Sequence, residues 1–129
     1  MATRHIVSVK AVIRAREGLI LLKNERDEWE LPGGQLEARE EPAACVVREV
    51  KEELGIDVKV DRLLSTWQFE PVPACYVLII AYGCTAIDAN TTLRLSHEHK
   101  ELGCFQLQDL DSIRLPSGYL DAIRIATSI

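Results

Sequence analysis

Glu41-Pro42-Ala43-Ala44-Cys45-Val46-Val47-Arg48-Glu49-Val50-Lys51-Glu52-Glu53-Leu54-Gly55 is the stretch from which the rest of the chain can be read. Pro42 suits the first turn of a helix, where its missing N–H leaves no bond unmade, and Gly55 suits the left-handed position that ends one. Between them Ala43, Val46, Val47, Val50 and Leu54 recur at i, i+3, i+4, i+7 and i+11, the spacing of a helix with one face against a core. At about 100° per residue, Glu49, Glu52 and Glu53 fall within an arc of roughly 100°, about 125° from the centre of that apolar stripe. Three carboxylates thus share one patch, although like charges at i, i+4 mildly destabilise a helix. Two readings are open for such a patch. It is a solvated acidic face, or it is a set of oxygen ligands for a hard divalent cation. Mg²⁺ is the usual ion held by few carboxylates, waters and substrate phosphates.

Upstream of the helix, residues 5–14 (Ile6, Val7, Val9, Ala11, Val12, Ile13) read as a strand, and Gly18 marks a turn into a second strand over residues 19–23. Residues 24–27 form a polar loop. Trp29 to Leu31 lead into Pro32-Gly33-Gly34, where glycine lets the backbone approach a neighbour closely. Downstream, residues 57–69 and 74–84 are extended segments expected to pair antiparallel, joined by Glu70-Pro71-Val72-Pro73. A polar loop over residues 88–100 precedes a short strand near residues 103–107. Residues 118–129, with apolar Leu120, Ile123 and Ile125, close the chain as a second helix. Strands between two helices predict an α/β (α+β) class, a mixed β-sheet core sandwiched between helices, with residues 1–129 as a single domain.

The 129 residues are 47% hydrophobic and 27% charged, a globular composition, with no low-complexity segment and no internal repeat. The longest apolar run, around Cys75 to Tyr82, is strand length, well short of the ~18–20 residues that span a bilayer. Met1-Ala2-Thr3-Arg4-His5 lacks the apolar core of a secretory signal, so a cytoplasmic location is expected. Cys45, Cys75, Cys84 and Cys104 are scattered without a CxxC pair and read as reduced, mostly buried thiols rather than zinc ligands. A net charge of −5 argues against broad binding to a nucleic acid backbone. It is compatible with a small polyphosphate, because a divalent ion reverses the local sign of an acidic cleft.

The residues around the carboxylate patch sharpen its reading. Gly34, Glu40, Arg48, Glu49, Glu52, Glu53 and Gly55, with aliphatic Val50 and Ile56, satisfy G-x5-E-x7-R-E-U-x-E-E-x-G-U over residues 34–56. Seven fixed residues at background frequency coincide by chance roughly once in 10⁸ positions. The pattern resembles the complete signature box of the Nudix hydrolase family, whose members include the MutT-like pyrophosphohydrolases. Trp29-Glu30-Leu31-Pro32-Gly33-Gly34 is similar to the family's W-x-L-P-G-G entry, and Glu37 resembles its acidic loop residue. The Leu19-Ile20-Leu21-Leu22 strand and the tail from Ser96 to Leu110 fit as well. One departure is Arg39, at a position where the family often has glycine.

That resemblance implies an enzyme that hydrolyses a phosphoanhydride bond in a small nucleoside diphosphate derivative, with Mg²⁺ (or Mn²⁺) as cofactor. Glu49, Glu52 and Glu53 would be its metal ligands, with the Gly34 carbonyl; Arg48 and Glu40 would be an orienting pair beside the chemistry. The general base would be Glu49 or a glutamate of the later loop, Glu101 or Glu98. Lys23 and Arg26 are candidates for phosphate contacts and Trp67 and Phe69 for nucleobase stacking, although aromatics on strands are more often core. His97 and His99 flank Glu98, but alternating loop residues rarely form a transition-metal site alone. Pro71 and Pro73 lie roughly where some ADP-ribose-cleaving relatives carry a proline. A nucleotide-sensing module without turnover and an RNA 5′-end pyrophosphohydrolase are the alternatives; the intact box argues against the first and the net charge against the second. Partners are expected to be the small substrate alone, with no membrane, and a homodimer is one arrangement the sequence allows.

Overall fold

The alternation of apolar residues along the first strand decides where everything else packs. The computed structural model describes residues 3–88, 93 and 101–128. Strand β1 (Ile6–Ala15) runs through the middle of a mixed seven-stranded sheet. One of its edges pairs in parallel with β6 (Val77–Ala86), from Ile6 opposite Val77 to Ile13 opposite Cys84. Beyond β6 lies β5 (Val58–Phe69), antiparallel to it and bulged near Arg62 and Ser65. The β5–β6 pairing agrees with the sequence reading; the parallel β1–β6 pair was not foreseen. Along β1, Ser8 to Lys10 pair with the short β4 (Gly33–Gln35), and a hairpin at Arg14 and Ala15 leads into β2 (Gly18–Lys23). Strand β2 carries β3 (Trp29–Glu30) and β7 (Glu101–Phe105) on its two edges. The stretch from Trp29 to Gly34, read as a loop entry, thus contains two short strands.

Because side chains alternate across a strand, the sheet separates two cores. Val9, Ala11 and Ile13 of β1 and Ile20 and Leu22 of β2 face helix α1 (Pro42–Leu54). Val12, Leu19 and Leu21 face the opposite layer, with Val77, Ile79 and Ala81 of β6. There a 3-10 helix (Leu107–Ser112) and helix α2 (Ser117–Thr127) supply Leu110, Tyr119, Ala122 and Ile123. One helix on each side of a mixed sheet is the architecture expected from the sequence.

Helix α1 begins with Pro42 in its first turn and ends on Gly55 at φ 72°, whose N–H donates to the Lys51 carbonyl. The helix is turned relative to the stripe read from the sequence. Cys45, Val46, Val50 and Leu54 are buried, whereas Ala43 is exposed and Glu53 is only 3% exposed. The reason is the neighbour: α1 packs against the backbone of β4 as well as against apolar side chains. A glutamate can meet a backbone donor there. Full burial of Val46, Val50 and Leu54 is worth about 1.5–3 kcal/mol each and anchors the helix. The four cysteines are free thiols; burial pushes Cys45 and Cys84 up to about 12, so neither is a thiolate near neutral pH. No described helix is long and apolar enough to cross a membrane.

Candidate active site

Two adjacent glycines bring β4 and α1 together, each against one carboxylate. Gly33 has φ 152°, a region side chains avoid, and a Cβ there would overlap the Val9 carbonyl oxygen and stand 2.9 Å from the Lys10 Cα. Its N–H donates to Glu53 Oε1 at 2.7 Å, which explains how a carboxylate is tolerated at full burial. Gly34 lies directly under the Glu49 carboxyl group. A Cβ at position 34 would occupy that group's place, 2.7 Å from its farther oxygen.

Arg48 holds the rest. Its Nε and Nη2 donate to Glu40 Oε2 and Oε1 at 2.7 and 2.9 Å, a bidentate pair. Its Nη1 donates to Glu49 Oε1 at 2.9 Å and to both Glu52 oxygens at 3.2 and 3.3 Å. Glu37 is a looser fourth partner at 3.7 Å. The hydrogen bonds from Arg48 hold the Glu40 carboxyl down at about 2, well below the usual carboxylate range. The same bonds push the guanidinium pKa up, so this cation is permanent. Arg39, in the loop before α1, adopts φ 64°, the left-handed conformation in which glycine is the unstrained residue.

Gly33, Gly34, Arg48 and the carboxylates of Glu49, Glu52 and Glu53 line a cleft of about 520 Å³. Glu25, Glu30, Glu37, Glu49, Glu52 and Glu53 face it, against Arg26 and Arg48, so the cleft is strongly acidic. Asn24 closes the turn at its mouth: its Oδ1 accepts the N–H groups of Arg26 and Glu28 at 2.9 and 3.2 Å, and its amide donates to Glu30 Oε2 at 3.1 Å. The other oxygen of Glu30 lies 4.0 Å from the ammonium of Lys10, which is buried in β1. Burial lowers the Lys10 pKa, but Tyr119, Glu30, Glu53 and Glu49 raise it, and the net direction is upward. Burial pushes the Tyr119 hydroxyl up as well.

The candidates from the sequence divide accordingly. Gly34, Glu37, Arg48, Glu49, Glu52 and Glu53 meet in the cleft, Glu40 reaches it through Arg48, and Arg26 lies at its mouth. Lys23 instead places its ammonium 5.5 Å from the centroid of the Trp29 ring. Trp67 and Phe69 are half-buried and meet the Tyr119 ring edge-on, at centroid distances of 5.7 and 5.8 Å, on the α2 side of the sheet. Glu101 is exposed at the start of β7, opposite Lys23, and does not line the cleft. Glu98, His97 and His99 lie outside the described residues. Sequence reasoning missed Lys10, Asn24, Glu30 and Tyr119. For Lys10 a signal existed: it is the one charge inside the apolar run Val9 to Ile13.

The donor set suits a hard divalent ion. Three carboxylates and the nearby Gly34 carbonyl offer only oxygen, and an open cleft leaves room for waters and phosphate oxygens. Among the described residues no three acidic, histidine or cysteine side chains are gathered as a ready cage. Instead Arg48 Nη1 supplies the positive charge between Glu49 and Glu52, and Glu53 is turned to Gly33. An ion would compete with one arm of Arg48, whose other arm keeps Glu40.

Known proteins resemble this chain in sequence and in fold. The family model of the NUDIX domain matches residues 4–124. The "MutT-like protein" of Streptomyces ambofaciens is 46% identical over 66 residues, 50% of this chain and 43% of that protein, so the chain spans less than half the length of that relative. The "Low-salt glycan biosynthesis protein Agl8" of Haloferax volcanii is 32% identical over 112 residues, 78% of this chain and 70% of that one. The crystal structure of the MutT protein from Methanosarcina mazei Go1 superposes with a TM-score of 0.81 at 26% identity, covering 96% of this chain and 94% of its own. With a family match across nearly its whole length and a box whose arginine and glutamates meet in one cleft, the chain belongs to the Nudix hydrolase family.

Proposed function

We propose that the protein is a Mg²⁺-dependent pyrophosphohydrolase that cleaves a phosphoanhydride bond in a small nucleoside diphosphate derivative: a (d)NTP, a dinucleoside polyphosphate or a nucleotide sugar. The observation that carries this reading is the meeting of Glu49, Glu52 and Glu53 with the Gly33–Gly34 backbone in one acidic cleft. Glu49, Glu52, Glu53 and the Gly34 carbonyl would hold the ion; when bound, Mg²⁺ neutralises charge on the pyrophosphate oxygens and acidifies water.

The chain's own groups do the rest. Glu49 is the general base, its carboxyl group pinned between Arg48 and the Gly34 backbone so that one orientation is kept. It accepts the proton of the attacking water as the new bond to phosphorus forms and the bridging P–O bond breaks. Glu101, at the start of β7, is the second candidate for that proton. Arg48 and Glu40 act by positioning, locking the loop before α1 onto the helix. Arg26, which lines the cleft, meets distal phosphate oxygens, and Lys23, held over the Trp29 ring, adds only a more distant positive charge. Trp67 and Phe69 provide stacking surface for the base beside Tyr119.

The test is a panel of nucleotides and nucleotide sugars with Mg²⁺ or Mn²⁺, products identified by mass, on wild type and on E52Q/E53Q. The double variant is expected to lose turnover by a factor of about 10³ or more, as removal of charge-stabilising groups does elsewhere. Wild-type rates in a folded double variant would sink the proposal.

A further inference from the structure

Lys10 is a buried lysine whose ammonium has only long contacts, with Glu30 and with the Tyr119 ring. It is 8% exposed on β1, flanked by Val9 and Ala11 at 0%. An ammonium has three N–H donors. Among the described residues Nζ makes no hydrogen bond: Glu30 Oε1 is 4.0 Å away and the centroid of the Tyr119 ring 5.9 Å. A counter-ion for Glu30 would close that gap, and Glu30 already takes the Asn24 amide. Burying a charge with its donors unmet is costly, and such a group persists where a ligand completes it. Arg48, the cation of the acidic cleft, makes the opposite case, with every nitrogen in a short hydrogen bond.

The surroundings say which part of a ligand arrives there. Near the ammonium stand Glu30, which lines the cleft, and the fields of Glu53 and Glu49. Near it too stands Tyr119, with Trp67 and Phe69 edge-on against its ring. Lys10 therefore sits at the junction of the carboxylate patch and an aromatic cluster. We propose that Lys10 determines specificity: its ammonium donates to an oxygen acceptor, carbonyl or hydroxyl, on the organic moiety beyond the diphosphate. This rests on the phosphoanhydride reading above and adds to it the residue that reads the leaving or retained organic group.

The experiment compares wild type with K10M, which keeps the length and packing of the side chain and removes the charge. For the best organic substrate of the panel, KM is expected to rise about 10- to 100-fold, the worth of one hydrogen bond to a charged group, with kcat moving far less. Inorganic tripolyphosphate, which has the anhydride without the organic group, serves as competitive inhibitor; its inhibition constant is expected to move less than about twofold. An unchanged KM overturns the proposal. So does a tripolyphosphate constant that worsens in step with KM, since that makes Lys10 a general phosphate contact. If K10M does not fold, K10M/E30Q, which removes both charges, is measured in its place with the same outcomes. If wild type turns nothing over, the phosphoanhydride reading fails on its own, and melting shifts decide this one. A nucleoside diphosphate with Mg²⁺ should then raise the wild-type Tm but not that of K10M; equal shifts, or none in either protein, refute it.

Discussion

Replacing each of the adjacent glycines by alanine should separate folding from chemistry. In G33A the new Cβ meets backbone, the Val9 carbonyl and the Lys10 Cα, which cannot step aside without breaking the β1–β4 pairing. The strain of φ 152° adds about 1–3 kcal/mol, and loss of the Gly33 N–H bond to the Glu53 carboxylate a further ~1.5–3 kcal/mol. The total, about 2.5–6 kcal/mol, is a large part of a typical margin of ~5–15 kcal/mol. In G34A the new Cβ meets only the end of a flexible side chain, the Glu49 carboxyl group, which can swing away. Its cost is one charge-assisted bond to Arg48, partly offset by the ~0.4–1 kcal/mol that alanine gains over glycine through the unfolded chain. Stability should fall by about 0.5–2.6 kcal/mol, yet displacement of the proposed base by an ångström loses on the order of 10²-fold in rate. Urea unfolding followed by circular dichroism, with Mg²⁺-dependent turnover of the best panel substrate, measures both quantities. A G34A variant with wild-type kcat/KM, or a G33A variant with a wild-type midpoint, would refute the reasoning.

Two further outcomes follow from the loop before α1. The Glu40 carboxyl is held at about 2 in the fold, against about 4.5 ordinarily, so its pairing with Arg48 stabilises the protein fully above pH 4.5 and is lost as pH falls through 2. E40Q should therefore melt below wild type at neutral pH and converge with it between about pH 4.5 and 2; a constant gap across that window would contradict the assigned cause. R39G relieves a left-handed arginine and should raise stability by about 0.5–1 kcal/mol, roughly 2–5 °C in Tm, while a lower Tm would show that the Arg39 side chain contributes more than its backbone costs.

Local signals carried well from sequence to fold. Pro42 and Gly55 bound α1 within a residue of the reading, because caps act through neighbouring backbone. The box glutamates and Arg48 were legible for the same reason, one helix fixing their spacing. The parallel β1–β6 pair was not legible, since it joins Ile6 to Val77 and nothing local encodes such a partner. Strands β3 and β4, two and three residues long, are too short to show a period. The burial of Glu53 could not be read either: its partner is the Gly33 backbone, which adds no apolar residue to the pattern. Trp67 and Phe69, two apart on β5, were bound to share a face, but only the tertiary fold says that it faces Tyr119.

The sheet that parts the two cores also partitions the protein's freedom to change. Substitutions among Leu110, Tyr119 and Ile123 are screened from Val46, Val50 and Leu54 by a full layer of backbone, so their free energies should combine additively. Changes on the α2 flank should therefore leave the carboxylate helix undisturbed. At Gly33, where β4 begins opposite Lys10 and its N–H meets the Glu53 carboxylate, the fields of Lys10 and Glu53 reach each other across the sheet.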